Sequence, residues 1–589
     1  MLSRRIFTPQ GQVAKPFHLV PDGLGALPTL TQLRVDPSFS DTPTSPSILA
    51  ATCRISIMGR INDIWHSYSA AEKRNIAFYI AGIMMYKLGL EFFNGSITTL
   101  ATDRFNAANT FTKLGAAQGV NQAAQCVGAI LIAPLIKKWP TRSVLSGAIF
   151  MFALMTVILL IVDAATGGRM KPVGARTPDY GDWNPNLIFV VWTLAGISYG
   201  MVELIRRVIP ADIVGGNVGK LRRMDATVHI FYEVAGTSGA FASSSAISRF
   251  GNNYSFFLTP IFFVAAGGLW LVISTLSFKS AEEIQAELEQ AGLAEVDGKR
   301  RASNNYFVQI GWGAVGFAES VYVGAKLVFM NRRFIWLFPS YAVALYMHRF
   351  LESSLGAAFA KRVLGVSAWS QIIVGGSNFG ELLGALAVLV LSDVVTTPLP
   401  WLRLDALALN IVWVLPAFAR VATHNVSWAW KVAGCFIPVS FGWAAGDVSL
   451  AAYIQSALSD SQFTHMNVSA LGAVMAFLYS TYIVLNAVFS SVLGRVIDHD
   501  FRDNGNIIRS LRTVGGVHFS VASAVIFAST FIPRGAFAFN PKAIGNVGLH
   551  APSHAHGASS EEQDSEDEKD LKKVQQPTSE LTELEKGRS

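Results

Sequence analysis

The sequence predicts an all-α integral membrane protein with twelve transmembrane helices in two six-helix halves, and three observations predict this class. The 589-residue chain is 51% hydrophobic and 15% charged, with a mean hydropathy of +0.38, which is too apolar for an ordinary soluble protein. Apolar runs of bilayer-spanning length recur along it. Lysine and arginine gather between these runs, as in KKWPTR (residues 137–142), which is positive-inside patterning rather than a nucleic-acid surface.

The N-terminal part begins with a polar tail. Residues 1–72 are rich in Pro, Ser and Thr, which predicts a disordered cytosolic segment. No cleavable signal peptide opens the chain, so we expect the first span to act as the insertion signal. Residues 73–278 are predicted to form the N-terminal bundle, with spans at 76–101, 114–136, 143–164, 187–208, 225–248 and 254–277.

A charged segment then separates the two halves, and residues 279–332 are predicted to be a cytosolic linker. Residues 279–301 have the charge density and helical periodicity of a soluble helix. The apolar stretch 306–329 is long enough for a thirteenth span. Its many glycines and its Glu319 and Lys326 pair favour a helix at the membrane interface instead.

The second bundle is predicted over residues 333–534, followed by a disordered acidic cytosolic tail at 535–589. An even number of spans with both termini in the cytosol places the basic segment 494–512 outside, which conflicts with the orientation rule and stays open. The same model places the sequons at Asn253 and Asn425 away from the cytosol. The predicted spans are 334–356, 369–392, 403–420, 427–452, 467–494 and 513–533.

An internal repeat supports two related halves. KLGLE (Lys87–Glu91) of the first span superposes on HRFLE (His348–Glu352) of the seventh, pairing Lys87 with His348 and Glu91 with Glu352. Two successive spans that match at nearly the same offset favour a duplication. Without gaps, the second span aligns with the eighth by placing Gly119, Gln125, Gly128, Ala129 and Leu135 on Gly375, Glu381, Gly384, Ala385 and Leu391.

Six spans, a cytosolic linker and six further spans resemble the major facilitator superfamily. The run APLIKKWPTR (Ala133–Arg142) after the second span is similar to that family's loop signature, with Lys137 at the position of its acid and Pro140 at that of a glycine. In the equivalent loop of the second half, Asp393 occupies the acidic position. VAGTSGAF (Val234–Phe241) resembles a glycine-rich stretch of some exporters without its proline. The resemblance implies transport by alternating access around a site near the bilayer midplane, lined by spans 1, 4, 7 and 10 and their neighbours.

Ionisable and amide side chains concentrate on those spans. A charge at the bilayer centre costs about 3 kcal/mol on insertion scales, so intramembrane ionisable residues are functional candidates by default. The alternative is structural, because Lys87 and Glu91 stand one helical turn apart and can neutralise each other. The candidate substrate- or proton-binding residues are Lys87, Glu91, Asn121, Gln125, Glu203, His229, Glu233, His348, Arg349, Glu352, Asn378, Glu381 and Asp447.

The sequence therefore predicts a proton-coupled secondary active transporter of a small polar or anionic organic solute. We expect a multi-pass protein of the lipid bilayer, in the plasma membrane rather than in an internal membrane. We expect protons and a small-molecule substrate as partners, no nucleic acid and no cofactor. Scattered histidines and the missing GxxxxGK[ST] motif argue against an enzyme or an ATP-driven pump. Two alternatives stay open: a proton antiporter exporting a metabolite or drug, and a non-transporting sensor with a transporter fold.

Overall fold

The computed structural model describes residues 68–170, 180–206, 209, 213, 218–273, 305–391, 394–458 and 470–544. The predictions for most of both tails, for the linker segment 279–301 and for Asp393 lie outside the described residues. The regular structure of the described residues consists of helices, with short turns between most of them.

The first half contains six helices. The first of them begins at Ser69, where a reciprocal capping box forms: Glu72 N donates to Ser69 Oγ at 3.2 Å, and Ser69 N donates to Glu72 Oε2 at 2.7 Å. The six helices are α1 (Ala70–Arg104), α2 (Thr110–Lys138), α3 (Thr141–Ala165), α4 (Leu187–Arg206), α5 (Val218–Phe250) and α6 (Asn252–Leu271).

The second half also contains six helices, preceded by α7 (Tyr306–Met330). Its first helix, α8 (residues 338–362), has π-helical turns at Phe338–Val343 and Leu351–Leu355 between α-helical stretches. A π turn inside an α-helix shifts the direction of the side chains that follow it. The remaining helices are α9 (Ser370–Leu391), α10 (Leu399–Val421), α11 (Val426–Leu458), α12 (Ala470–Asn504) and α13 (Ile508–Ser529).

Each of the twelve predicted spans corresponds to one helix, so the predicted all-α membrane fold with two six-helix halves is confirmed. Eleven helices of the described residues are long and apolar enough to cross a membrane, and α7 is one of them. Helices α5 and α8 are not in that set. The polar run at the centre of α8, with His348, Arg349 and Glu352, lowers its hydropathy.

Successive helices alternate in direction, which gives the protein two sides. We call the side where α1 begins the linker side, and the side of the α1–α2 connection the loop side. Helices α1 and α8 both end on the loop side, where Lys361 Nζ lies 2.6 Å from Asp103 Oδ1.

The duplication read from the sequence recurs in the packing. Gly119 of α2 allows close approach of Ala487 from the opposite half, and its counterpart Gly375 of α9 allows close approach of Phe241 from the opposite half. Within the halves, Gly128 lies against the α4 backbone, and Gly384 lies against the α11 backbone. Equivalent glycines therefore mediate equivalent helix contacts, because a missing side chain lets two backbones approach.

Helix α7 lies against one helix from each half, near the linker side. Tyr306 Oη donates to Leu131 O near the end of α2 at 3.0 Å. At the other end of α7, Gly324 packs on Ala473 near the start of α12. The helix therefore joins the linker-side parts of α2 and α12, and its position at the membrane interface stays a prediction.

Candidate functional site

The first ion pair of the molecular centre belongs to α1. Lys87 Nζ lies 2.7 Å from Glu91 Oε1, and both side chains are buried. Lys87 Nζ also lies 4.6 Å from the ring centroid of Tyr232 on α5, a cation–π contact. The opposite half reaches the same carboxylate, because Asn378 Nδ2 of α9 donates to Glu91 Oε1 at 3.2 Å.

The second ion pair belongs to α8. Arg349 Nη1 lies 3.0 Å from Glu352 Oε2. The Arg349 side chain is 47% exposed, whereas that of Glu352 is 8% exposed. Ser377 of α9 donates a short hydrogen bond to Glu352 Oε1, and its hydroxyl lies 2.6 Å from the hydroxyl of Ser440. The cation that serves Glu352 is therefore Arg349, and not the His348 that the repeat alignment pairs with Lys87.

Two consecutive residues of α9 connect the two ion pairs. Ser377 contacts Glu352 within the second half, and Asn378 contacts Glu91 across the interface between the halves. Asn378 is among the candidate residues predicted from the sequence, whereas Ser377 is not. Hydroxyls are common within membrane helices, where they bond their own backbone, so the sequence carries no sharp signal for Ser377.

A third ion pair lies on α4 and includes Glu203, another of the candidate residues. Arg206 Nη2 lies 2.6 Å from Glu203 Oε2, and Tyr86 Oη donates to Glu203 Oε1 at 3.1 Å. The Arg206 guanidinium lies 4.7 Å from the Tyr232 ring centroid. Tyr232 therefore contacts both Arg206 and Lys87, which connects the α1 and α4 pairs through one aromatic ring.

Two further predicted acids face the same central region. Glu233 of α5 is 2% exposed and interacts electrostatically with Lys87 and Arg349. Glu381 of α9 is half-buried and interacts electrostatically with Glu233 and with the same two cations. His229, also predicted, is half-buried on α5 one turn before Glu233.

Four further predicted residues lie outside these three ion pairs: Asn121, Gln125, His348 and Asp447. Gln125 Nε2 donates to Asn121 Oδ1 at 3.0 Å, and Asn121 Nδ2 donates to Trp192 O of α4 at 2.7 Å. These two amides therefore join α2 to α4 inside the first half. Asp447 is half-buried on α11.

His348 lies in the core of the second half. Its Nε2 lies 2.8 Å from Asp405 Oδ1 on α10, and its ring stacks on Trp443 of α11 at a centroid distance of 5.1 Å. Both members of the pair are almost completely buried. Asp405 is not among the candidates predicted from the sequence. As the one acid within the ninth predicted span, it could have been predicted by the same argument of buried charge.

Polar contacts hold the two halves together on the loop side. Asp103 accepts from Lys361 and from Ser367 Oγ, each at 2.6 Å. Asp498 of α12 accepts from the first turn of α2: from Phe111 N at 3.1 Å, from Thr112 N at 2.8 Å and from Thr112 Oγ1 at 2.9 Å. A carboxylate at a helix N-terminus is favoured by the free N–H groups and the helix dipole. Polar contacts therefore help to close the loop side, beside buried apolar side chains such as Phe111, whose backbone packs on Gly494 of α12.

No family model and no curated protein match the chain. Its fold is similar to that of solved transporters. These are the nucleoside transporter NupG (14% identity, 77% of this chain and 99% of that chain, TM-score 0.47), the xylose transporter XylE from E. coli in a partially occluded inward open conformation (13%, 78% and 96%, 0.49) and a POT family transporter in complex with 5-aminolevulinic acid (10%, 77% and 96%, 0.49).

At these identities the likeness concerns the fold alone. The twelve-helix, two-half architecture of the described residues is the one that the resemblance to the major facilitator superfamily predicted. The three named structures are transporters.

Proposed function

We propose that this protein is a proton-coupled secondary active transporter that moves a small polar organic solute by alternating access. One observation carries the proposal. Each half contributes a buried carboxylate paired with a cation, and adjacent residues of α9 contact both carboxylates. Burying a charge costs free energy, so we expect the two ion pairs between the halves to have a function, such as binding and releasing a proton.

Protonation of Glu91 would alter the contact between the halves. The ionised carboxylate accepts from Lys87 and from Asn378 of the opposite half. A proton on Glu91 removes the negative charge, so both interactions weaken from charge-assisted to ordinary strength. Proton binding would therefore loosen a link between the halves, which is the requirement for coupling a proton to a rocking movement.

The loop-side contacts support alternating access. Asp103 and Asp498 hold hydrogen bonds and ion pairs across the interface, and water can replace these partners when the halves separate. This surface suits a gate that closes in one state and opens in the other.

The solute is proposed to bind among the same central residues. Lys87 and Arg349 would attract a carboxylate or phosphate, which is the anionic solute expected from the sequence. Each of these cations already has a carboxylate partner, so an anionic solute would have to displace Glu91 or Glu352. We therefore propose a polar solute rather than an anionic one.

Uptake into proteoliposomes tests the proposal. Vesicles containing the purified protein, with an imposed pH gradient, would be incubated with a small-molecule cell extract, and the accumulated solutes identified by mass spectrometry. We expect accumulation that a protonophore abolishes. Glu91→Gln and Glu352→Gln keep the size and hydrogen bonding without the titration, so both variants should retain solute exchange at equal pH and lose gradient-driven accumulation. Normal accumulation by both variants would contradict proton coupling through these residues.

The same vesicles separate the alternatives. Symport acidifies the compartment that the solute enters, whereas an antiporter that exports a metabolite or drug makes that compartment more alkaline. A sensor that retains the transporter fold would bind solute without accumulating it under any gradient. Glu319→Gln on α7 removes a carboxylate outside the central cluster and serves as the matched control, with unchanged accumulation expected.

A further inference from the structure

The central charges do not balance. The middle parts of α1, α5, α8 and α9 and the last turn of α4, as far as the structure describes them, carry five carboxylates and three lysine or arginine cations. Each cation has a carboxylate within 3.0 Å on its own helix. Two carboxylates, Glu233 and Glu381, are left outside these pairs. The paired residues are Lys87 with Glu91, Arg206 with Glu203, and Arg349 with Glu352.

The two remaining carboxylates come from opposite halves and lie at the same level. Gly236 of α5 packs so closely on α9 that an added Cβ would lie 3.2 Å from Asn378 Nδ2. Helix α5 runs toward the loop side and α9 away from it. Glu233, three residues before Gly236, and Glu381, three residues after Asn378, are therefore both displaced by one turn toward the linker side. Their charges act on each other across the interface.

Glu233 adds an independent observation. Its side chain is 2% exposed, and its Oε2 atom is buried without a hydrogen-bond partner among the described residues. A buried, unpaired carboxylate oxygen carries a large desolvation penalty. A second carboxylate facing the first raises that penalty, because like charges repel. A proton on one carboxylate or a positive group bound between the two would relieve this penalty, and the cations that surround the pair already have carboxylate partners.

We propose that Glu233 and Glu381 together bind a protonated amino or guanidino group of the solute. The proposal rests on the proposed function and narrows its solute to one that carries a positive group. An ammonium offers three donors and a guanidinium offers five, so either can bond carboxylates on two helices at once. Because the two acids belong to different halves, the bound group links α5 to α9, and binding contributes directly to closing the halves around the solute.

Three fractions of the extract provide the test. Ion exchange divides a desalted small-molecule cell extract into cationic, neutral and anionic pools, and each pool is offered to proteoliposomes in sodium and in potassium buffers. We expect accumulation from the cationic pool, with amino or guanidino compounds identified inside. Accumulation from the anionic or neutral pool alone overturns this inference and leaves the proposed transport function intact. Accumulation from no pool overturns both.

Variants connect the preference to the two residues. Glu233→Gln and Glu381→Gln should each lower cationic uptake by about tenfold or more, because a neutral amide replaces a charge-assisted acceptor. Removing an unpaired buried charge should not lower the melting temperature, so a loss of uptake at unchanged Tm separates binding from folding. Glu319→Gln again serves as the control carboxylate. Unchanged cationic uptake by the double variant Glu233→Gln, Glu381→Gln would overturn the site. Uptake of neutral solutes that requires sodium or potassium would also overturn it, because a metal ion would then be the positive group at the two carboxylates.

Discussion

Asn378 of the second half donates a hydrogen bond to Glu91 of the first half, with 3.2 Å between Nδ2 and Oε1. The bond joins the duplicated halves at the carboxylate that also neutralises Lys87. A hydrogen bond to an ionised acceptor contributes about 1.5–3 kcal/mol, enough to change a two-state population by more than tenfold. The protonation state of one carboxylate can therefore bias the arrangement of two six-helix bodies.

Exchanging the charges of the α1 pair distinguishes a structural pair from a transport site. The double variant Lys87→Glu, Glu91→Lys keeps an ion pair at the same spacing. It places a carboxylate over the Tyr232 ring and an ammonium at Asn378, which loses the cation–π contact and reverses the charge at the interface. We expect near-normal abundance in the membrane and no gradient-driven accumulation in proteoliposomes. Full accumulation by the double variant would assign the pair a structural role.

Loss of Asp498 is predicted to open the loop side. Its carboxylate accepts hydrogen bonds from two backbone N–H groups and one hydroxyl of α2. Asp498→Ala removes these three hydrogen bonds between the halves. We expect a destabilisation of the closed state by about 1–3 kcal/mol and a rise of roughly tenfold in the reactivity of a cysteine at Ser354, which is 3% exposed between the halves.

Asp503→Ala provides the control on the same helix. Asp503 is exposed and contacts His499 and Arg502 of its own helix, so its removal should leave the cysteine at Ser354 protected. These measurements use a background in which Cys53, Cys126 and Cys435 are replaced. Equal reactivity in the two alanine variants would show that Asp498 does not hold the gate closed.

Much of the fold could be predicted from the sequence because hydropathy sets the spans and the repeat sets the halves. Two acids of the predicted site, Glu91 and Glu352, were found for the same reason, since buried charge is conspicuous in an apolar run. The direction of a side chain around its helix is harder to predict. Helix α8 contains π turns on both sides of His348, and a π turn changes the phase on which an alignment of spans depends.

The alignment of Lys87 with His348 shows the consequence. In the structure, Arg349 rather than His348 pairs with the equivalent carboxylate, and His348 lies in the core with Asp405. Asn121 and Gln125 show a second limit of prediction. Both residues belong to α2, next to the central ion pairs. Their side chains point about one residue's rotation around the helix away from the centre, so they contact α4 instead. Gln122, the residue beside Asn121, reaches the opposite half instead, where its Nε2 donates to Tyr482 Oη at 2.7 Å.

The buried pair of His348 and Asp405 is predicted to stabilise the second half. Removing one member leaves the other buried without its hydrogen bond, which costs about 1–3 kcal/mol and more for a charged group, whereas replacing both members with apolar groups can be nearly neutral. We expect a large loss of melting temperature for Asp405→Leu and a partial recovery when His348→Phe is added, since the new ring can also stack on Trp443. A stable Asp405→Asn variant that loses proton coupling would instead identify the pair as a proton site.

The last prediction concerns the sequons at Asn253 and Asn425, which have different surroundings in the structure. Asn425 is exposed in the short connection between α10 and α11. Asn253 is the second residue of α6, and its Nδ2 donates to Asp163 Oδ2 at 2.7 Å. The sequon serine at 255 is fully buried, with its hydroxyl 2.7 Å from that of Ser96. A glycan on Asn253 would break the bond to Asp163 and force open the junction between α3 and α6.

We therefore expect a single glycan, on Asn425, when the protein is produced in cells that glycosylate asparagine. Endoglycosidase should increase the electrophoretic mobility of the wild type and of Asn253→Gln, and should not change that of Asn425→Gln. The predicted topology requires this outcome, because only a loop on the side opposite the cytosol meets the glycosylating enzyme. Cytosolic labelling of a tag inserted at Asn425, together with no glycan on Asn425, would reverse the assignment of the two sides and place the loop-side contacts of Asp103 and Asp498 in the cytosol.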